Sequence, residues 1–382
     1  MSFRKTKIRK SSPAKAPGSK SPASKSILSQ DATVDLTRLL DIVAAFSRQT
    51  ICVLGDFVLD EFVSGEISRV SREAPVLILR HRHTESLPGG AANAVNNIAD
   101  LGARVLPVGI VGDDEAGKAL LDYFRRKKIN VAGVLHAADW TTPAKTRYLA
   151  GWTHTTEQQV LRVDREPSTE LPRRLQDAIA RKAHILAKRA DAVLVSDYGF
   201  GAATPAIARG LGAKRITLDS RYRLLEYRDT GVTAATPNEP EVEAAYHTRV
   251  GTKTNKLDEL GSHLMSDLGL EALVVTRGKD GMAVFERGSG LGKESTRVSA
   301  VSQPRHIAIH GTDSPVDVTG AGDTVIAVFT LALAAGAAYM EAAHLANYAG
   351  GIVVMKRRTA TVTRAELEAA LRNEATSRDR GQ

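Results

Sequence analysis

A single cysteine, Cys52, in 382 residues excludes a disulfide framework and any multi-cysteine zinc site. Aromatic residues are scarce, at 5%. No long hydrophobic run is present: the longest apolar stretch, around Val325 to Ala338, is too short and too rich in Gly and Ala to span a bilayer. No apolar segment follows the basic start, so no secretory signal is expected. A Walker A string, a G-x-G-x-x-G after the first strand, a protein-kinase HRD triplet and a G-x-S-x-G elbow are all missing. The chain therefore lacks the signatures of P-loop NTPases, Rossmann enzymes, protein kinases and α/β-hydrolases. These absences together describe a reduced, cytoplasmic, soluble protein.

Acids are missing from one place in particular. Residues 1–30 carry eight Lys and Arg and no Asp or Glu, so they account for nearly all of the formal net charge of +9. Removing them from the 52 basic residues leaves 44 against 43 acidic, a nearly neutral remainder. The tail is rich in Ser, Pro and Lys and has almost no core-forming side chains. It is expected to be disordered, a solubilising extension that binds anionic surfaces weakly if at all.

The rest of the chain, 31–382, alternates short β-branched runs with amphipathic stretches. Strands are expected at Ile51–Leu54, Val76–Arg80, Arg104–Ile110, Ala192–Ser196, Arg215–Leu218 and Ala272–Thr276. Helices are expected at Glu115–Lys128, Leu171–Ala190, Lys256–Leu268, Gly320–Ala335 and Met340–Met355. Such alternation means an α/β fold with a mainly parallel central sheet flanked by helices. Ligands then bind beyond the carboxyl ends of the strands, where Asp56, Asp197, Asp219 and Gly278 fall. Segments 58–80 and 146–163 read as extended and polar, a small second sheet acting as a lid.

Four motifs carry chemistry. Asp317-Val-Thr319-Gly320-Ala321-Gly322-Asp323 opens a small-residue helix. Two glycines at a helix start let backbone N–H groups approach an anion, and Asp323 is placed to take a proton from an attacking hydroxyl. Pro88-Gly89-Gly90-Ala-Ala-Asn93 offers close backbone approach and an amide for sugar hydroxyls. A Gly-Gly turn capping an Ala-rich helix has the same string. Thr236-Pro-Asn238-Glu239-Pro-Glu241 could organise water-held Mg²⁺ near phosphates, but for the hexapeptide alone a helix cap is the favoured reading. Thr276-Arg-Gly278-Lys-Asp-Gly281 is either a nucleotide cradle or a tight hairpin turn. His306 and His310 alternate onto one strand face, where solvated surface histidines are the favoured reading over a metal pair.

In this order the motifs resemble those of the PfkB (ribokinase-like) carbohydrate kinases, over about Ile51 to Thr363. Further strings are similar to the branch that phosphorylates D-glycero-β-D-manno-heptose 7-phosphate. They are Ser68-Arg-Val-Ser-Arg-Glu-Ala-Pro-Val76, Gln158-Gln-Val-Leu-Arg-Val-Asp164 and Ser196-Asp-Tyr-Gly199. The resemblance implies a ribokinase-like fold with a β lid, a lid-mediated homodimer, and ATP and Mg²⁺ as cofactors. Asp323 would be the base, with Gly320, Ala321 and Gly322 as its anion hole. Asn238 and Glu241 would arrange Mg²⁺ and phosphates, Glu241 through water. Thr276, Gly278, Asp317, Thr319, Asn347 and Gly350 would surround the nucleotide. Asp60, Gly89, Gly90 and Asn93 would bind the sugar. Arg69, Lys145, Arg147 and Arg162 are the candidate cations for its phosphate.

The chain departs from that branch at Phe200, where a Lys is expected, at Asp219-Ser-Arg221 and at Lys356-Arg-Arg-Thr359. The second departure moves a phosphate contact toward Arg221 or Arg223. The implied reaction is transfer to O1, giving the 1,7-bisphosphate for ADP-heptose and lipopolysaccharide core. With no His-x-Gly-His string and no room for an adenylyltransferase domain, the adenylyl step would fall to another protein. The alternatives are a kinase of a ketose phosphate, 2-keto-3-deoxy acid or nucleoside, or a non-catalytic sugar-binding regulator.

Overall fold

Along the chain run α1 (Leu36–Ala44), β1 (Thr50–Gly55), β2 (Phe57–Val70), β3 (Leu77–Gly90), α2 (Ala91–Asp100), β4 (Arg104–Gly112), α3 (Glu115–Arg126), β5 (Val134–Ala137), β6 (Ala144–Gly151) and β7 (Gln158–Arg165). Then come α4 (Arg173–Ala187), β8 (Ala192–Asp197), α5 (Pro205–Arg209), β9 (Ile216–Ser220), β10 (Ala234–Ala235), α6 (Glu239–Ala245), α7 (Thr254–Leu268), β11 (Ala272–Thr276), β12 (Met282–Glu286), β13 (Arg305–Ile307), α8 (Ala321–Ala334), α9 (Tyr339–Val353) and α10 (Arg364–Gly381). The computed structural model describes residues 34–152, 157–251, 254–288, 302–312 and 314–381. The basic tail expected over 1–30 lies outside them.

Nine strands form the main sheet, in the order β13-β12-β11-β10-β9-β8-β1-β4-β5. All neighbours pair in parallel except β12, which is antiparallel to β11 and β13. In β1, Ile51 and Val53 enter one hydrophobic core while Cys52 and Leu54 enter the other. A strand covered on both faces reads as an unbroken apolar run for this reason. On the first face, α8 buries every residue from Asp323 to Leu333 against α2 and α9. A helix apolar all round belongs inside a protein.

A separate four-stranded sheet, β3-β2-β6-β7, rises from the end of β1. Its strands fall on the segments expected to be extended, with one correction. β3 was expected at Val76–Arg80 and instead runs to Gly90, paired with β2 down to Phe57↔Gly90. Pro88-Gly89-Gly90 is thus a strand end leading straight into α2, not a free turn. A second correction concerns the histidines. β13 ends at Ile307; His306 faces Asp258 at 3.2 Å, while the His310 ring lies against Tyr348 with ring centres 4.1 Å apart and planes tilted by 41°. They share no site, and no cluster of three or more His, Cys, Asp or Glu converges among the described residues. No helix there is long and apolar enough to cross a membrane.

Candidate active site

The start of α8 is built by glycine. Gly320 caps the helix at φ 77°, and a Cβ there would sit 2.5 Å from the Asn93 amide nitrogen. The left-handed backbone and the close approach both require glycine. Gly322 has open space beyond it, so the helix N-terminus faces the cleft. Asp323, in the first turn, is buried. Its Oδ1 accepts from the Tyr198 hydroxyl at 2.6 Å and its Oδ2 from Asn93 Nδ2 at 3.0 Å. Burial pushes its carboxyl up to about 6, while those two hydrogen bonds hold it down. It is therefore ionised near neutrality and still basic enough to take a proton.

The lid sheet brings Asp60 to the same place. Its Oδ1 accepts from Arg147 at 2.7 Å and its Oδ2 from the Thr359 hydroxyl at 2.7 Å. Gly89 passes so close that a Cβ would lie 2.5 Å from Asp60 Oδ2. Gly90, at φ 56°, starts α2 and lets Tyr198 and Asp56 pack against it. Asn93 is held in turn by Asn97, whose amide donates to its side-chain oxygen at 3.1 Å.

The acids at the carboxyl ends of the strands divide into two kinds. Asp56 accepts from the backbone N–H groups of Tyr198, Phe200 and Ala202. Asp197 is saturated by Arg223, Tyr227, Ser220 and the Gly199 N–H. Both hold loops. Asp219 and Glu241 face a cavity of 440 Å³ together with Arg221, and Asp197 also reaches its wall. Burial and then the Glu241 charge push Asp219 well above the usual carboxylate range. Burial pushes Glu241 up to about 7. Asn238 and Glu241 also form a reciprocal cap on α6, each side chain bonding the other's N–H at 2.9 Å. The capping reading is correct, and one Glu241 oxygen is left over.

Thr276, Gly278, Asn347 and Gly350 line one further cavity of 410 Å³, largely apolar and closed by Val318 and Val354. The Thr276–Gly281 segment is both the β11–β12 turn and one wall of this cavity. Asp317 does not line it. Its two oxygens accept the Thr319 and Arg358 N–H groups at 2.9 and 2.8 Å, so it shapes the loop.

The candidate cations separate by their partners. Lys145, Arg162 and Arg221 line a cavity of 330 Å³ with Tyr198, Asp164 and Glu166. Arg162 is engaged by Asp164 through both ends of its guanidinium. Lys145 and Arg221 have no ion pair among the described residues; the Lys145 amine lies 5.1 Å from the centre of the Tyr198 ring. Burial, then repulsion from Arg221, lowers the Lys145 pKa. Arg147 is committed to Asp60, and Arg223 to Asp197. Arg69 is exposed at the far end of β2, nine residues and about 30 Å of strand beyond Asp60. Sequence reasoning gave no site role to Tyr198 or Thr359. Tyr198 follows a strand end, and Thr359 closes the Lys356–Thr359 string set against the family's; both were usable signals.

A mainly parallel sheet, a glycine-built helix N-terminus over a buried aspartate and a small four-stranded sheet beside it together define a sugar-kinase architecture. Residues 49–366 match the model of the pfkB family carbohydrate kinases, and the chain belongs to that family. It is 38% identical over 339 residues to a protein of Desulfatibacillum aliphaticivorans named Bifunctional protein HldE, covering 87% of this chain and 65% of that one. The protein of that name in Mesorhizobium japonicum is also 38% identical, covering 86% and 63%. The chain thus spans just under two thirds of the length of these relatives. Among solved structures it is similar to Arabidopsis thaliana ribokinase complexed with ribose and ATP (TM-score 0.62, 18% identity, 85% of this chain and 98% of that one). It is also similar to phosphofructokinase-2 from Escherichia coli (TM-score 0.64, 15% identity, 86% and 99%). At these identities the two structures speak for the fold. The chain is a carbohydrate kinase, and the family implies ATP as the phosphoryl donor.

Proposed function

We propose that this kinase phosphorylates D-glycero-β-D-manno-heptose 7-phosphate at O1. The observation that carries this reading is the 330 Å³ cavity beside the base, lined by two cations, Lys145 and Arg221, that form no ion pair among the described residues. A phosphate monoester at the far end of the sugar would satisfy both with charge-assisted hydrogen bonds. The similarity to proteins named HldE supports the heptose specifically.

In this reading Asp60 and Asn93 hold sugar hydroxyls and the O1 hydroxyl lies against Asp323. The O1–H proton passes to an Asp323 oxygen as O1 bonds to the γ-phosphorus of ATP. The bond from that phosphorus to the bridging oxygen breaks, and its electron pair leaves on ADP. The Ala321 N–H is taken by the Val318 carbonyl at 3.2 Å, so Gly320 and Gly322 at the start of α8 are the expected donors that stabilise the charge on the transferred group. The nucleoside lies in the cavity walled by Thr276, Gly278, Asn347 and Gly350. Two buried carboxylates in one pocket, the Glu241 charge adding to the burial that disfavours ionisation of Asp219, fit a dication held through water by Glu241, with Asp219 beside it. Mg²⁺ bound there would neutralise phosphate charge.

Initial rates on a panel of phosphorylated and free sugars test the reading. Heptose 7-phosphate should exceed free heptose by about 10²–10⁴ in kcat/KM if two charge-assisted hydrogen bonds are lost. Equal efficiency on free sugar, or faster turnover of a nucleoside or keto acid, refutes the heptose 7-phosphate assignment.

A further inference from the structure

Tyr198 stands where the three parts of the cleft meet. It lines the cavity of Asp219 and Glu241 and the cavity of Lys145 and Arg221, and it touches Asp323. Its backbone is fixed from the sheet, since Asp56 at the end of β1 grips the N–H groups of residues 198, 200 and 202 within 3.0 Å. Its ring packs against Gly90, where a Cβ would come within 3.3 Å of Cε2. The hydroxyl then reaches Asp323 Oδ1, while Asn93 holds Oδ2. One donor on each oxygen fixes the rotation of the carboxylate about its Cβ–Cγ bond.

We propose that Tyr198 is a positioning residue for phosphoryl transfer, whose hydroxyl holds the Asp323 carboxylate turned toward the sugar hydroxyl. The inference rests on Asp323 being the base. Tyr198 acts as a fixed donor and not as a proton carrier. Burial and the Asp323 charge push its own ionisation far above the usual phenol range. The other groups facing Asp323 are Asn93 from α2, Asp60 from β2, Lys145 from β6 and Asp219 from β9. Among the described residues, Asn93 and Tyr198 are the side chains that bond it directly.

The test is Tyr198→Phe in the full chain, which removes the hydroxyl and leaves the packed ring. We expect kcat to fall about tenfold or more with both KM values little changed. The acid limb of the kcat–pH profile should move up by about one unit, because the carboxylate has lost a donor that favoured its charged form. A structural role alone would lower Tm and leave that midpoint in place, which overturns the proposal. So does a wild-type kcat and midpoint. Asp323→Asn is measured in parallel. If it keeps wild-type kcat, the reading of Asp323 as base fails. If it is inactive while Tyr198→Phe behaves as wild type, only the positioning role fails. Uniform 3-fluorotyrosine gives a second measurement that does not depend on folding of the Phe variant. It strengthens the hydroxyl as a donor, so the midpoint should move down, and an unmoved midpoint rejects the proposal.

Discussion

Gly89→Ala isolates the sugar side of the cleft with a single methyl group. Gly89 has no left-handed backbone angle, so alanine adopts its conformation without strain. The new Cβ would lie 2.5 Å from Asp60 Oδ2 and 2.7 Å from its Cγ, where ordinary contact begins at 3.4 Å. The carboxylate must retreat by close to 1 Å. It cannot do so freely, because Thr359 and Arg147 each hold it at 2.7 Å and it is almost fully buried. Overpacking of this kind costs about 1–3 kcal/mol of stability. A hydrogen bond to a charged group is worth about 1.5–3 kcal/mol, so losing two sugar hydroxyls from Asp60 would lower kcat/KM for the sugar by roughly 10²–10⁴. The nucleotide cavity shares no wall with Gly89, so KM for ATP should hold. Initial rates with each substrate varied at saturating levels of the other, together with Tm, measure all three quantities. A folded variant with sugar kcat/KM within about threefold of wild type, or one whose defect lies in KM for ATP, would refute the placement of the sugar at Asp60.

Three further outcomes follow. The kcat should fall as pH drops through about 6, because burial raises the Asp323 carboxyl to that value and the protonated form cannot accept a proton; a flat profile from pH 8 to 5 contradicts its role. Arg221→Met should reduce the preference for phosphorylated over free sugar by about 10-fold or more, as one charge-assisted hydrogen bond is lost; an unchanged ratio moves the phosphate elsewhere. Arg223→Met should destabilise the fold by about 3 kcal/mol in denaturant titration, since it removes the cation from the buried Asp197 while Tyr227, Ser220 and Gly199 remain as donors; a loss below about 1 kcal/mol would mean that those donors satisfy Asp197 alone.

What could be read from the chain depended on how far apart the interacting residues lie. Central strands such as β1 and β8 were legible because burial on both faces leaves a continuous apolar run. β10, two residues long, and β5 were not, since backbone pairing with neighbours defines them. The length of β3 was hidden for the same reason: Arg80 to Thr84 are polar and exposed, and only pairing with β2 makes them a strand. The catalytic strings were legible because a glycine-built helix start and its aspartate are consecutive. The contacts that tune them are not. Tyr198 reaches Asp323 across 125 residues, and Thr359 reaches Asp60 across 299. The cations carry the argument one step further. Arg147, Arg162, Arg221, Arg223 and Lys145 look alike in a sequence, and each is a fair candidate for a phosphate. Tertiary pairing separates them, because a guanidinium already bonded to a carboxylate in a buried setting must break that pair to bind a substrate. Arg147 and Arg223 carry that cost, the exposed Arg162–Asp164 pair carries little of it, and Lys145 and Arg221, which form no ion pair among the described residues, carry none. The substrate's negative charge is therefore expected beside the Tyr198 ring, where Lys145 and Arg221 line a cavity and form no ion pair among the described residues, and not where the sequence holds most of its arginines.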